Sequence, residues 1–120
     1  MKLQIEGAQL RFRLSEAELA RLLDGETVLD QTPLPDGACA RRTLRVIDAD
    51  PATLRWQGAD LDLTLPRMAV AAYATTLPRR DALGFVLGDS AAALQIDFEV
   101  DVRDSVRSRL LPKAPRADAS

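Results

Sequence analysis

Arg11 and Arg13, separated by one residue in "LRFRL", are the first side chains in the chain whose type and spacing could do chemistry. In an extended segment alternate residues share a face. Both guanidinium forks then project together, and such forks match the oxygens of phosphate or carboxylate groups. Arg45 and Arg55, on the polar sides of "TLRVI" and "ATLRWQ", enlarge the candidate anion-binding set to Arg11, Arg13, Arg45 and Arg55. A second constellation lies in "QIDFEVDVR". Alternation puts Asp97, Glu99 and Asp101 on one face and Ile96, Phe98 and Val100 on the other. A row of carboxylates suits Mg²⁺, which takes oxygen ligands and keeps several waters. Asp60 and Asp62 make a weaker pair of the same kind. Each set also has a plainer reading, and the plainer one is favoured. The arginines solvate a sheet face, and the acids line an exposed edge strand, where charge discourages edge-to-edge pairing.

Other chemistries are excluded by composition. The chain has no histidine, so His-based triads and His metal ligands are absent. Its single cysteine, Cys39, rules out an internal disulfide and a thiolate cluster. Cys39 lies near Arg41 and Arg42, which favour a thiolate, but an incidental cysteine is the simpler reading. No Gly-rich phosphate loop and no G-x-S-x-G elbow occur. Hydrophobic residues make up 47% and charged residues 28%, an ordinary soluble balance. A net charge of −2 supplies no bulk attraction to nucleic acid, which is not an expected partner. The apolar stretches are too short to span a membrane, and "MKLQIEG" alternates unlike a signal peptide. A cytoplasmic location is expected.

The elements that must position these groups follow from periodicity. Leu3 and Ile5 alternate with Lys2, Gln4 and Glu6, which predicts a strand with one buried face. Gly7-Ala8 is the turn to a second strand with Leu10, Phe12 and Leu14 inward. Ser15 and Glu18 form a capping box ahead of the stripe Leu19, Leu22 and Leu23, and Gly25 ends that helix. "ETVLDQT" and "RRTLRVIDA" are the third and fourth strands, separated by the loop "PLPDGA". After Asp50-Pro51 the order repeats. "ATLRWQ" places Leu54 and Trp56 inward, Gly58-Ala59 turns, and "DLDLTL" alternates. Pro66 opens the helix "RMAVAAYATTL" as a first helical residue, with Val70, Tyr73 and Leu77 toward the core. "ALGFVLG" and "AALQIDFEVDV" are two further strands around the turn "GDS".

The second pass echoes the first at a spacing of 51 residues, with Leu3/Leu54, Gly7/Gly58, Ala8/Ala59, Leu10/Leu61 and Leu14/Leu65 identical. Yet Arg11 stands against Asp62. The expected fold is a single α+β domain over residues 1–102. It is a duplicated ββαββ unit, with repeat halves 1–48 and 52–101, in a mainly antiparallel sheet or small open barrel with two helices on the apolar face. Residues 103–120, with Arg103, Arg107, Arg109, Lys113 and Arg116, are expected to be a basic, largely flexible tail.

The opening "MKLQIEGAQLRFRLSEAELARLLDGETV" resembles a family of short uncharacterised bacterial proteins that begin MK-[LI]-R-I-x-G-N-x-[LI]-R-x-R-L-[TS]. "LTLPRMAVAAYATT" and "ALGFVLGDSAAALQIDFEVD" extend the likeness over roughly residues 1–101. Gln4 and Ala8 depart from its pattern, as does the C-terminal stretch, and the resemblance implies no activity. A duplicated strand–helix–strand unit is also similar in architecture to the triphosphate tunnel (CYTH-like) proteins, with "KLQIE" echoing their E-x-E-x-K strand. That likeness implies an eight-stranded barrel with a polar interior for polyphosphate and metal.

The leading functional expectation is a non-catalytic binding or interaction module without a cofactor. Its partners would be a protein, a second copy reached through a strand edge, or a phosphate-type ligand. The alternative is an Mg²⁺-dependent phosphoester or polyphosphate enzyme of tunnel type. There Asp97, Glu99 and Asp101 would hold the metal, and Arg11, Arg13 and Arg45 would grip phosphate.

Overall fold

The computed structural model describes residues 1–89 and 91–102; the expected C-terminal tail and Ser90 of the "GDS" turn lie outside them. Eight strands and two helices follow in the expected order. They are β1 (Lys2–Glu6), β2 (Gln9–Ser15), α1 (Glu16–Leu23), β3 (Val28–Pro33), β4 (Cys39–Ile47), β5 (Thr53–Gln57), β6 (Asp60–Pro66), α2 (Arg67–Ala74), β7 (Leu83–Leu87) and β8 (Leu94–Asp101). From β1 to α1 and from β5 to α2, each element recurs at the 51-residue spacing and with the same length.

Local chemistry explains the element ends. Gly7 and Gly58 begin two-residue hairpin loops at φ 56° and 58°, and no other residue type in the described chain has positive φ. A positive φ at the first loop position is what the type II′ hairpin turn requires, and its twist matches the flanking strands. At α1 the Ser15 hydroxyl accepts from the Glu18 N–H at 3.1 Å, and the Glu18 carboxylate accepts from the Ser15 N–H at 2.9 Å. Gly25, at φ 95°, closes α1. Its N–H donates to the Leu22 carbonyl, and the Glu26 N–H donates to that of Arg21. This is the two-bond ending that the left-handed glycine makes possible.

Pro66 departs from the expectation of a first helical position. It is the N-cap itself, with extended φ/ψ, and α2 therefore starts without a side-chain cap. α2 also stops at Ala74, short of the expected Leu77. β3 runs one residue into the expected loop and ends on Pro33. Proline is tolerated there because β3 is an edge strand.

The eight strands form two open sheets, β1-β2-β8-β7 and β3-β4-β6-β5, and neither closes into a barrel. Four of the six strand pairings are antiparallel, as expected, but the central pair of each sheet, β2/β8 and β4/β6, is parallel. Each sheet joins the first hairpin of one half to the second hairpin of the other. The register is also repeated. Leu10 pairs Ile96 where Leu61 pairs Arg42, and Arg13 pairs Glu99 where Thr64 pairs Arg45.

One apolar cluster unites both sheets and both helices. Leu10, Phe12, Leu14, Ile96, Phe98 and Val100 come from one sheet, and Leu44, Val46, Leu61, Leu63 and Leu65 from the other. Leu19 and Leu22 of α1 and Val70 and Tyr73 of α2 join them. α1 packs on β2 and β8 of the first sheet and on β3 and β4 of the second. Phe12 and Phe98 are adjacent in register and fully buried. The Tyr73 ring meets Phe98 edge-on at 5.9 Å, and the Tyr73 hydroxyl donates to the Asp81 carbonyl at 3.0 Å.

Two expected core residues are not covered. Ile5 and Trp56 do share the core-facing side, opposite Leu10 and Leu61, but they are 54% and 50% exposed. Both sit on edge strands at the hairpin-turn end of the sheet, and the helices start from the other end of β2 and β6.

Candidate functional site

The parallel pairing of β2 with β8 brings the two sequence constellations side by side. Arg11 is in register with Asp97 and Arg13 with Glu99, all on the outer face of the first sheet. Arg11 Nη2 lies 3.7 Å from Asp97 Oδ2. Arg13 reaches Glu99 at 3.8 Å and Asp101 at 3.9 Å. Asp97 also accepts from the side-chain amides of Gln9 at 2.6 Å and Gln95 at 2.8 Å. Gly84 leaves room for that amide, because a Cβ there would stand 3.0 Å from Gln95 Nε2. The expected anion clamp and the expected metal site therefore balance each other's charge along one ladder. Among the described residues, no three acidic or thiol side chains gather as a metal-ligating group.

Arg45 and Arg55 belong to the other sheet and do not join Arg11 and Arg13. Arg45 Nη2 is 4.0 Å from Asp62 Oδ2, and its Nε donates to the Thr64 hydroxyl. The Thr43 hydroxyl donates to Asp62, and the Arg41 N–H donates to Asp60 at 3.1 Å. The polarity of the ladder is thus inverted between the sheets: β2 is basic against an acidic β8, whereas β6 is acidic against a basic β4. Arg11 and Asp62 are equivalent positions, each facing a complement on its parallel neighbour. Arg41 and Arg55, with Thr43, Gln57, Asp60 and Asp62, line a depression of about 240 Å³ on the second sheet. Its two guanidinium groups face two carboxylates, so it carries no strong net field for an anion.

Lys2, Gln4 and Glu6, the tunnel-like strand, are all exposed on the outer face of the first sheet. The inward faces of both sheets meet in one packed apolar cluster, with the 2.7 Å Arg42–Asp30 ion pair on the core-facing side of the second sheet, and the two open sheets do not form the barrel that the tunnel resemblance implied. Cys39 is half-buried, and its thiol lies 3.3 Å from Gln31 Oε1.

An edge strand is expected for the acidic row, yet β8 lies inside its sheet, and the free edges are elsewhere. β1, β3, β5 and β7 each end a sheet. β1 carries Lys2 and Glu6, β3 carries Asp30 and Pro33, and β5 carries Arg55. β7, "LGFVL", has neither charge nor proline. Its outer-face Val86 is 65% exposed. Beside it, an open groove of about 510 Å³ is lined by Ala52, Leu54, Val86, Leu87 and Leu94. The equivalent stretch of the other half holds Gln31, Thr32 and Pro33 in place of Val86, Leu87 and Gly88. The sequence does carry a signal here, since Ala82–Gly88 is a seven-residue run without a charge. Only the topology shows that this run lies at an edge.

The chain matches no family model and no curated protein. No helix among the described residues is long and apolar enough to cross a membrane.

Proposed function

We propose that this protein is a non-catalytic interaction module that takes up an extended strand along β7. The observation that carries this reading is the bare edge. Free strand edges present rows of unpaired N–H and C=O groups, and proteins ordinarily blunt them with charge or proline. Three of the four edges here are blunted in that way, and β7 is not. Strand addition draws its affinity from main-chain hydrogen bonds and its selectivity from side-chain pockets beside the edge. The apolar groove of Leu54, Val86, Leu87 and Leu94 supplies such a flank. The outer faces, with their balanced Arg–carboxylate ladders, serve solubility and register.

A direct test uses capped, uncharged peptides of alternating Leu, Val and Phe, titrated into the full chain while backbone amide resonances are followed. Shifts should concentrate on Leu83–Leu87 and Ala52–Leu54 and disappear in Val86→Lys. Val86 is 65% exposed and lies outside the buried core, so the substitution should leave the fold intact. Shifts spread over the outer faces, or unchanged by Val86→Lys, would refute the reading.

A further inference from the structure

We infer that the strand taken up by β7 is the β7 of a second copy, paired antiparallel about a two-fold axis; this rests on the edge reading above. A two-fold edge pairing is isologous, so each residue of the strand must be compatible with its own sequence run backwards. Centred on Phe85, the pairing sets Leu83 opposite Leu87 of the second copy, Gly84 opposite Val86, and Phe85 opposite Phe85.

The pairs fit by size and by polarity. On the outer face the exposed isopropyl of Val86 lies over the vacant side-chain position of Gly84, twice per interface. On the inner face Leu83, Phe85 and Leu87 are each half-buried. There they form apolar cross-strand pairs, and an aromatic pair on the axis is among the favourable ones. No like charges meet, because β7 has none.

The other edges are less suited to pairing with their own copies. β5 centred on Arg55 would oppose two guanidinium groups. β3 ends on Pro33, whose nitrogen donates no hydrogen bond. β1 centred on Gln4 would match Lys2 with Glu6, but it would hold four ions at an otherwise solvated edge. The β7 pairing makes a continuous sheet of eight strands, in the order β1-β2-β8-β7 and back through the second copy. A five-residue strand pair by itself is smaller than the roughly 1,000 Å² that a stable interface needs. The groove of Leu54, Val86, Leu87 and Leu94 beside it must therefore be covered as well, and the dimer is of the weak, concentration-dependent kind.

The test is sedimentation velocity of the full chain over a wide concentration range, with hydrogen exchange of backbone amides at its two ends. The expected result is a reversible monomer–dimer equilibrium. The Leu83–Leu87 amides directed away from β8 should gain protection only at high concentration. Val86→Lys should raise the dissociation constant about tenfold or more, and Gln4→Lys on β1 should leave it unchanged. The exchange experiment on the unaltered chain does not depend on how any variant folds. A chain monomeric at every concentration overturns the inference. So does protection of β7 that is independent of concentration, which would mean that a segment of the same chain covers the edge. A dimer dispersed by Gln4→Lys and not by Val86→Lys overturns it too. If the chain stays monomeric while the uncharged peptides still bind β7, the self-pairing fails and the interaction reading stands; if neither occurs, both fail.

Discussion

Arg11 and Arg13 each face a carboxylate on the adjacent parallel strand. Exposed pairs at such distances contribute little individually. Changing both arginines to Gln nevertheless removes the ion pairs of Asp97 and Glu99 on the neighbouring strand. The double variant should be less stable by about 1 kcal/mol in total at low salt. The loss should shrink at about 1 M salt, where charges are screened within about 3 Å. Urea midpoints at the two salt concentrations measure this, and a salt-independent loss would point to packing as the cause.

Glu18 makes a second residue-scale prediction. Partial burial pushes its carboxyl up. The hydrogen bond from the N-terminal ammonium, at 2.6 Å, and those from Ser15 outweigh burial and hold it below the usual carboxylate range. A folded-state value below the unfolded one gives stability that is fully present above the unfolded carboxyl range. That stability is lost as pH falls through the folded value. Glu18→Gln should therefore flatten the acid limb of a plot of denaturation midpoint against pH. An acid limb as steep as the parent's would show that other carboxyls dominate.

At the scale of elements, the two halves use the same plan with unequal local chemistry. α1 has a reciprocal cap and a glycine ending, whereas α2 begins on an uncapped proline. Ser15→Ala should destabilise the protein by about 1 kcal/mol, read as a lowered denaturation midpoint. The two hairpin turns should respond alike. Gly7→Ala and Gly58→Ala each force a Cβ into positive φ, at a cost of about 1 kcal/mol or more. The space around both glycines is open, so the effect is one of backbone conformation and not of crowding. Unequal losses would show that the turns carry different strain. Nearly all of these elements were legible from periodicity, caps and turns. The exceptions were the ends at which tertiary packing competes with local preference: Pro33 kept in an edge strand, and α2 stopping at Ala74.

For the whole molecule, the decisive feature is that the halves are interleaved and not stacked. β2 takes its parallel partner from the second half, as does β4. This is the arrangement that a two-fold pair of ββαββ units would adopt, here carried on one chain. Residues 1–50 or 51–102 alone would each lose the parallel partners of both central strands and half of the core cluster. Each half should therefore be unfolded on its own, and mixing the two should restore the sheet signal in circular dichroism and the dispersion of amide resonances. A half that folds alone as a monomer would contradict the interleaved pairing.

Composition, alternation, the capping box and the paired glycine turns were enough to determine an α+β chain that states one plan twice. They determined as well which residues face inward, apart from how far Ile5 and Trp56 are covered. All of that is written in interactions a few residues long. Strand partnership is not local. Alternation says that Arg11 and Arg13 share a face and that Asp97, Glu99 and Asp101 share another. It does not say that β2 lies beside β8, where the two sets neutralise each other, nor that Arg45 and Arg55 lie on a separate sheet. The same holds for "LGFVL". An uncharged run reads equally well as a central or an edge strand, because burial on both sides and exposure on one leave similar patterns. Only the tertiary structure, by pairing β8 with β2 on one side and β7 on the other, decides that β7 ends its sheet among the described residues.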